Sequence, residues 1–196
     1  MNIILNIAAG KVLPIDWNKD KDILVNLDQT YFSEDHVEDI EMIHSKDFNL
    51  PLPSKIFYCN EDIYNFLERY KYTFDKIVMY RFLEHVPKVK VLYFLYILST
   101  CLKIGGTVEV IVPDCKCLAS RILSEDVNDK NFEADDIITT FELLNEPFCP
   151  HASLWHADRA KYFFELEGRF KVTDIETRYE FDGRDIYLKF IAKRIK

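Results

Sequence analysis

Residues 74–114 read FDKIVMYRFLEHVPKVKVLYFLYILSTCLKIGGTVEVIVPD, and this stretch decides the fold. It begins with the short apolar run FDKIVM and closes with the β-rich run TVEVIV at 107–112. Between these runs, residues 88–101 carry apolar side chains at helical spacing, and we predict that Gly105 and Gly106 end this helix. The apolar face consists of Val91, Leu92, Leu95, Leu98 and Leu102. A strand, a helix and a second strand in this order predict a parallel βαβ unit.

The same alternation extends to both sides of this unit. We predict further strands at 2–7, 23–28 and 55–58, and helices at 61–70, 115–123, 134–145 and 156–167. A long polar connection is expected over 29–54, and Asn60 is a candidate N-cap for the 61–70 helix. Two β-rich runs near the C-terminus, FKVTDIETRYEF and DIYLKFIAKR, flank Gly183 and indicate a hairpin.

The predicted fold class is therefore α/β, with a mostly parallel sheet, helices on both faces and a C-terminal antiparallel hairpin. We expect the 23–28 strand beside the 2–7 strand, and the hairpin beyond the 107–112 strand. Nothing in the pattern indicates a linker, so residues 1–196 are interpreted as a single domain.

Composition narrows the class of partner. The chain is 48% hydrophobic, which is typical of a globular domain, and its formal net charge is −8. An acidic surface repels phosphate backbones and makes bulk DNA binding unfavourable. No stretch approaches the roughly 18 apolar residues of a membrane span, and no signal peptide is evident. We therefore expect a cytoplasmic protein that does not associate with membranes.

The five cysteines do not predict a cross-linked protein. An odd number at irregular spacing argues against a disulfide framework, and reduced thiols suit the cytoplasm. Cys115, Cys117, Cys149 and His151 make a poor zinc site, because Cys-x-Cys spacing is atypical and the other ligands are distant in sequence.

Four segments in the right order resemble one enzyme family. They are LNIAAGK at 5–11, VNLD at 25–28, FDKIVMYRFLEHV at 74–86 and LKIGGTVEVIVPD at 102–114. Together they resemble the Rossmann-like class I methyltransferases that depend on S-adenosylmethionine, whose first motif often has the form LNLGCGK. The terminal hairpin is similar to the family's last two strands. The resemblance implies methyl transfer from S-adenosyl-L-methionine.

The resemblance also implies a cofactor site at the carboxyl ends of the parallel strands, where open α/β sheets bind ligands. Gly10 would let its loop approach the cofactor closely, and Asp28 would accept the ribose hydroxyls. Glu61 and Asp62 would flank the adenine, and the Tyr80 ring would pack against the cofactor. The predicted cofactor-binding residues are Asn6, Ala8, Gly10, Asp28, Asn60, Glu61, Asp62 and Tyr80.

Structural interpretations of the same residues stay open. Asp28 is also explained as a solvated acid at a strand end, and Glu61 and Asp62 as acids that complement a helix N-terminus. Ala8 replaces the family's usual first glycine, which keeps a second function in view, namely a degenerate methyltransferase-like domain acting as a binding or scaffold module. A nicotinamide dehydrogenase is disfavoured, because LNIAAGKVLP lacks the glycine-rich turn that feeds a helix N-terminus.

The candidate catalytic residues are His85 and Asp114. His85 is a candidate general base, with a structural role for the Glu-His pair as the alternative. Asp114 either faces the methyl acceptor or caps the next helix. The segment HASLWH at 151–156 is interpreted either as a substrate lid or as a helix entry with a buried Trp155.

The methyl acceptor is not identified by the sequence. A small molecule, a sugar, a protein or an RNA would each be compatible. MYRF follows the 74–79 strand, where amino-directed nucleic-acid methyltransferases carry an Asn-Pro-Pro-Tyr type of signature, and this disfavours DNA adenine as the acceptor.

Overall fold

A mixed β-sheet forms the centre of the protein. The computed structural model describes residues 2–7, 18, 21–27, 41–42, 56–59, 62–123, 152–180 and 185–196. In these ranges the sheet has eight strands in the spatial order β3-β4-β2-β1-β5-β6-β8-β7. The strands are β1 (Asn2–Ile7), β2 (Asp22–Leu27), β3 (Glu41–Met42), β4 (Ile56–Cys59), β5 (Phe74–Tyr80), β6 (Leu102–Pro113), β7 (Phe170–Glu180) and β8 (Asp185–Arg194).

The pairing of these strands confirms the predicted topology. β1 lies between β2 and β5, and all pairs from β3 to β6 are parallel. β8 pairs antiparallel with β6 on one side and with β7 on the other. The C-terminal hairpin therefore closes the sheet beyond β6, as its sequence indicates. The short β3 is an addition at the opposite edge, inside the stretch predicted to be a connection.

Four α-helices are described, and their bounds correct the prediction in two places. They are α1 (Ile63–Arg69), α2 (Val91–Cys101), α3 (Cys115–Leu123) and α4 (Ala157–Glu165). Two short 3-10 turns, Leu83–His85 and Lys88–Lys90, precede α2, so the α-helix begins later than predicted. The N-cap of α1 is Asp62 rather than Asn60, because the Asp62 carboxylate accepts the N–H groups of Tyr64 and Asn65, both at 3.1 Å. The helix predicted at 134–145 lies outside the described residues.

Gly105 and Gly106 do not end α2, and this corrects the prediction. The helix ends at Cys101, and β6 begins directly at Leu102, so both glycines lie within the strand. Gly105 has a φ of +83°, in the left-handed region that favours glycine. A Cβ on Gly106 would lie 2.8 Å from the carbonyl oxygen of Asp75. The glycines therefore serve an irregular pairing with β5, whose register shifts between Phe74 and Lys76.

The core lies mainly on one face of the sheet. Alternate residues of the strands point to this face, where α1, α2 and α4 cover them. Its largest side chains, all with at most 2% of their surface exposed, include Phe66, Phe74, Phe94, Trp155, Phe164, Phe170 and Phe190. Complete burial of each such ring stabilises the fold by about 1.5–3 kcal/mol. Ile4, Leu24 and Val78 on the opposite face are also buried, so that this face is covered as well. No helix among the described residues is long and apolar enough to cross a membrane.

Candidate active site

The carboxyl ends of the parallel strands meet at one edge of the sheet. Ile7 pairs with Leu27, and Leu27 pairs with Cys59, so β1, β2 and β4 end at the same level. On the other side, Met79 of β5 also pairs with Ile7. This edge is where open parallel sheets bind their ligands.

Several predicted cofactor residues follow these strand ends but lie outside the described residues. They are Ala8, Gly10, Asp28, Asn60 and Glu61. Their roles stay predictions. The described residues that were predicted for the cofactor are Asn6, Asp62 and Tyr80.

Asn6 forms a buried pair with a residue that the sequence reasoning missed. Its Nδ2 donates to Oδ1 of Asn26 at 3.0 Å, one position before the ends of β1 and β2. Asn26 is fully buried, and its own Nδ2 has no hydrogen-bond acceptor in the described part of the chain. An unpaired buried donor costs about 1–3 kcal/mol, so this position favours a ligand that supplies an acceptor.

Tyr80 belongs to an aromatic and cationic stack at the end of β5. Its half-buried ring lies 6.3 Å from the ring of Tyr187, centroid to centroid. The guanidinium of Arg81 lies 4.6 Å from the Tyr187 centroid and 5.6 Å from that of Tyr80. Arg81 has a φ of +52°, which is uncommon for a residue other than glycine, and its N–H donates to the carbonyl of Ile111 at 2.8 Å. This conformation turns the chain sharply at the strand end.

The turn after β5 holds the Glu-His pair. Glu84 is 3% exposed, and its Oε2 is unpaired among the described residues. Burial raises the pKa of Glu84 to about 8, against the opposing effects of its own backbone N–H and the Arg81 charge. Burial therefore favours the protonated form of Glu84. His85, the candidate base, is half-buried at the end of the same 3-10 turn, and its role as a base stays a prediction.

Residues 152–156, which we name the crossing segment, pack against this turn. The N–H groups of Ala152 and Ser153 donate to the carbonyl oxygen of Glu84 at 2.8 and 2.9 Å. The Ser153 hydroxyl donates to the carbonyl of Leu83 at 3.2 Å and accepts the indole N–H of Trp155 at 2.9 Å. Trp155 is 1% exposed, as the helix-entry interpretation requires. The segment therefore fixes the turn that carries His85.

The crossing segment also reaches the end of β6. Trp155 forms a parallel bridge with Asp114, and its carbonyl accepts the N–H of Cys115 at 2.9 Å. Asp114 is 4% exposed and makes the contacts of a helix cap, accepting the N–H groups of Lys116 and Cys117 at 3.1 and 3.2 Å. Its second oxygen accepts the hydroxyl of Thr177 at 3.0 Å. A role for Asp114 toward the acceptor stays a prediction.

Arg159 on α4 was not singled out from the sequence. Its guanidinium lies 5.5 Å from the centroid of the Trp155 ring and 5.4 Å from that of Phe163. Nε and Nη2 of Arg159 and Nδ1 of His156 are buried, and none has a hydrogen-bond partner in the described ranges. The only sequence signal is spacing, since Arg159 is four residues from each of the two aromatic residues.

The described residues contain no group of three or more side chains that would hold a metal ion. Cys115 and Cys117 are free thiols, and burial raises the pKa of each, with the Asp114 charge as a further cause. Cys149 and His151 lie outside the described residues.

Comparison with solved structures identifies the fold. The chain is similar over its whole length to 1,6-didemethyltoxoflavin-N1-methyltransferase of Burkholderia thailandensis, a structure with bound 1,6-didemethyltoxoflavin and S-adenosylhomocysteine. The TM-score is 0.60 at 10% identity, over 72% of that chain. An S-adenosylmethionine-dependent methyltransferase of Mesorhizobium loti matches 98% of this chain and 91% of its own, with a TM-score of 0.59 and 14% identity.

A third similar structure is a possible exported protein of Bordetella parapertussis, with a TM-score of 0.57 and 12% identity. It matches the whole of this chain, which spans 62% of that protein. No family model and no curated protein sequence matches the chain. With the strand order and the antiparallel closure described above, these likenesses show that the chain has the fold of the class I S-adenosylmethionine-dependent methyltransferases.

Proposed function

We propose that the protein binds S-adenosyl-L-methionine and transfers its methyl group to an acceptor. The observation that carries the proposal is the common edge formed by the carboxyl ends of β1, β2, β4 and β5, on a fold shared with enzymes of this activity. The edge carries buried amides, a tyrosine and a half-buried histidine. Such a mixture suits a ligand with both polar and apolar parts.

The described residues fit this cofactor. Asn26 has a buried donor that needs an acceptor, and the carboxylate and ribose of S-adenosylmethionine both supply acceptors. Gly10 and Asp28, which follow β1 and β2, are proposed to admit the cofactor and to accept its ribose hydroxyls. The Tyr80 ring is proposed to pack against it. When bound, the cofactor supplies a methyl group on a positively charged sulfur.

The protein's own residues are proposed to position a general base next to the acceptor. The crossing segment holds the turn of His85 through backbone hydrogen bonds, which restricts the geometry of a base at that position. His85 is proposed to accept the proton of the acceptor where the acceptor must lose one.

Titration calorimetry with S-adenosylmethionine and S-adenosylhomocysteine tests the proposal. We expect wild type to bind, and Asp28→Ala to bind about 100-fold more weakly or worse, because two charge-assisted hydrogen bonds are worth about 1.5–3 kcal/mol each. Asp174→Ala is the matched control, since Asp174 is an exposed acid on β7. If wild type binds neither ligand, the enzyme proposal fails and the scaffold function takes its place. If Asp28→Ala binds as well as wild type, the ribose assignment is wrong.

A further inference from the structure

Arg159 lies beside two aromatic rings, and two of its nitrogens have no hydrogen-bond partner among the described residues. The rings of Trp155 and Phe163 lie 5.9 Å apart in a T-shaped contact, and the guanidinium lies within 5.5 Å of both centroids. Two of its nitrogens, Nε and Nη2, are buried without an acceptor among the described residues. The aromatic contacts hold the guanidinium in place but supply no acceptor for these two buried nitrogens.

Two other arginines among the described residues have a carboxylate partner, which Arg159 lacks. Arg169 lies over the Tyr96 ring at 4.7 Å, and its Nε donates to Glu167 at 3.2 Å. Arg178 donates to Glu176 at 2.6 Å. A guanidinium carries five N–H donors and no acceptor, and burial without a partner is costly. A purely structural arginine at position 159 would be expected to have such a carboxylate, and none of the described residues supplies one.

Arg159 lies on the same side of the molecule as the candidate active site. Trp155, on which it stacks, accepts the N–H of Cys115 immediately after β6. The Arg159 charge acts on the Cys115 thiol, where it opposes the rise in pKa caused by burial and by Asp114. Arg159 is therefore close to the start of α3, which follows β6.

The chemistry of the position favours a carboxylate. Arginine binds planar oxyanions through two parallel N–H groups, and Nδ1 of His156, three residues earlier in sequence, is a further buried nitrogen without a hydrogen-bond partner among the described residues. Among the described residues, Asp158 is next to Arg159 in sequence, Lys116 forms an ion pair with Asp158, and Asp114 acts with Arg159 on the Cys115 thiol. Together with Arg159, these charges sum to zero. Lys116 and His156 each lie 3.9 Å from the Asp158 carboxylate. A single negative charge therefore suits this neutral surrounding better than the double charge of a phosphate.

We propose that Arg159, assisted by His156, binds a carboxylate group of the methyl acceptor. The identification of the ligand as the methyl acceptor rests on the proposed function. The existence of an anion site at Arg159 does not. The acceptor class is thus a carboxylate-bearing molecule with an apolar part that contacts Trp155 and Phe163.

The fluorescence of Trp155 reports binding at Arg159, because the two side chains are in contact. The chain has two tryptophans, so Trp17→Phe leaves Trp155 as the single fluorophore. In this background, Trp155 fluorescence is titrated with cyclohexanecarboxylate, with its neutral analogue cyclohexanemethanol and with inorganic phosphate. Each titration is made with and without S-adenosylhomocysteine. We expect saturable binding of the carboxylate alone, weakened at least tenfold by Arg159→Gln. Arg159→Lys, which keeps the charge but loses the fork, should also weaken binding.

Arg169→Gln is the matched control, because it removes a guanidinium that also lies on an aromatic ring but has a carboxylate partner. The Arg169→Gln variant should bind cyclohexanecarboxylate with the same affinity as the parent protein. The melting temperature is a second readout. Arg159→Gln should lower the melting temperature no more than Arg169→Gln does, because each change removes a guanidinium that lies on an aromatic ring and the donors lost at position 159 have no described partner. A clearly larger fall for Arg159→Gln would mark Arg159 as structural and overturn the proposal.

Three other outcomes also overturn it. These are equal binding of the neutral analogue, tighter binding of phosphate, and a carboxylate affinity that Arg159→Gln leaves unchanged. The proposed function is tested separately by the calorimetry described above. If S-adenosylhomocysteine binds but cyclohexanecarboxylate does not, only the present inference fails. If the reverse is found, the anion site stands and its assignment to a methyl acceptor falls with the proposed function.

Discussion

Glu84→Gln removes a buried carboxyl group, in the turn that carries His85, whose pKa lies well above its ordinary value. Glu84 is 3% exposed, and burial raises its pKa from 4.5 to about 8. Gln has nearly the same shape and no charge. The change therefore isolates the energetic effect of one buried acid at the turn of the candidate base.

The sign of the effect follows from proton binding. Between pH 4.5 and pH 8 the folded protein keeps the Glu84 proton, while the unfolded chain has released it. Stability must fall as pH rises through this window, because the folded state binds more protons than the unfolded state. At about 1.36 kcal/mol per pH unit, a difference of about 3.5 units amounts to roughly 5 kcal/mol. Below pH 4.5 the acid is neutral in both states and costs nothing.

Chemical denaturation of wild type and Glu84→Gln between pH 4.5 and pH 8.5 measures this difference. Wild type should lose stability across the window relative to the variant, so that Glu84→Gln is the more stable protein at pH 8 by several kcal/mol. Other titrating groups cancel in the comparison. Glu176→Gln, a change at an exposed acid, should follow wild type. If wild type and Glu84→Gln show parallel pH profiles, Glu84 is ionised in the folded protein and the argument from burial is wrong.

Two further changes test the packing around the site. Ser153→Ala leaves the buried indole N–H of Trp155 without its acceptor and should lower the free energy of unfolding by about 1–3 kcal/mol. Denaturant titration checks this, and Ser120→Ala at an exposed hydroxyl should be nearly neutral. Gly106→Ala would bring a Cβ to 2.8 Å from the Asp75 carbonyl and should cost about 1–3 kcal/mol through overpacking. A thermal melt equal to that of wild type would show that β6 relaxes at this point.

Most of the fold could be predicted because its strands are short β-rich runs bounded by turn residues. The hairpin of β7 and β8 was predicted to within one residue of its bounds. The start of β6 was missed for a physical reason. Two glycines after an apolar helical face are typical of a helix end, but here they lie in a strand whose pairing with β5 is irregular. Local sequence does not distinguish these uses, because the register with β5 decides between them.

The site was less predictable, because its unusual residues depend on distant contacts. The local sequence around Glu84 predicts an exposed acid. Its burial is seen only in the folded protein, where the N–H groups of Ala152 and Ser153, some seventy positions later, donate to the Glu84 carbonyl oxygen. Arg159 likewise reads as an ordinary charge on an amphipathic helix. Its unpaired donors become evident only in the folded protein, where the guanidinium lies beside the Trp155 ring.

Buried and exposed residues alternate along residues 152–155 of the crossing segment. Ser153 and Trp155 are buried and anchor it to the β5 turn and to the end of β6, whereas Ala152 and Leu154 are exposed. The contact of residue 152 with the turn uses only its backbone N–H, so its side chain is not needed for that bond. Substitutions at 152 and 154 are therefore expected to leave the turn of His85 in place, because the bonds that hold it come from backbone N–H groups and from the Ser153 hydroxyl.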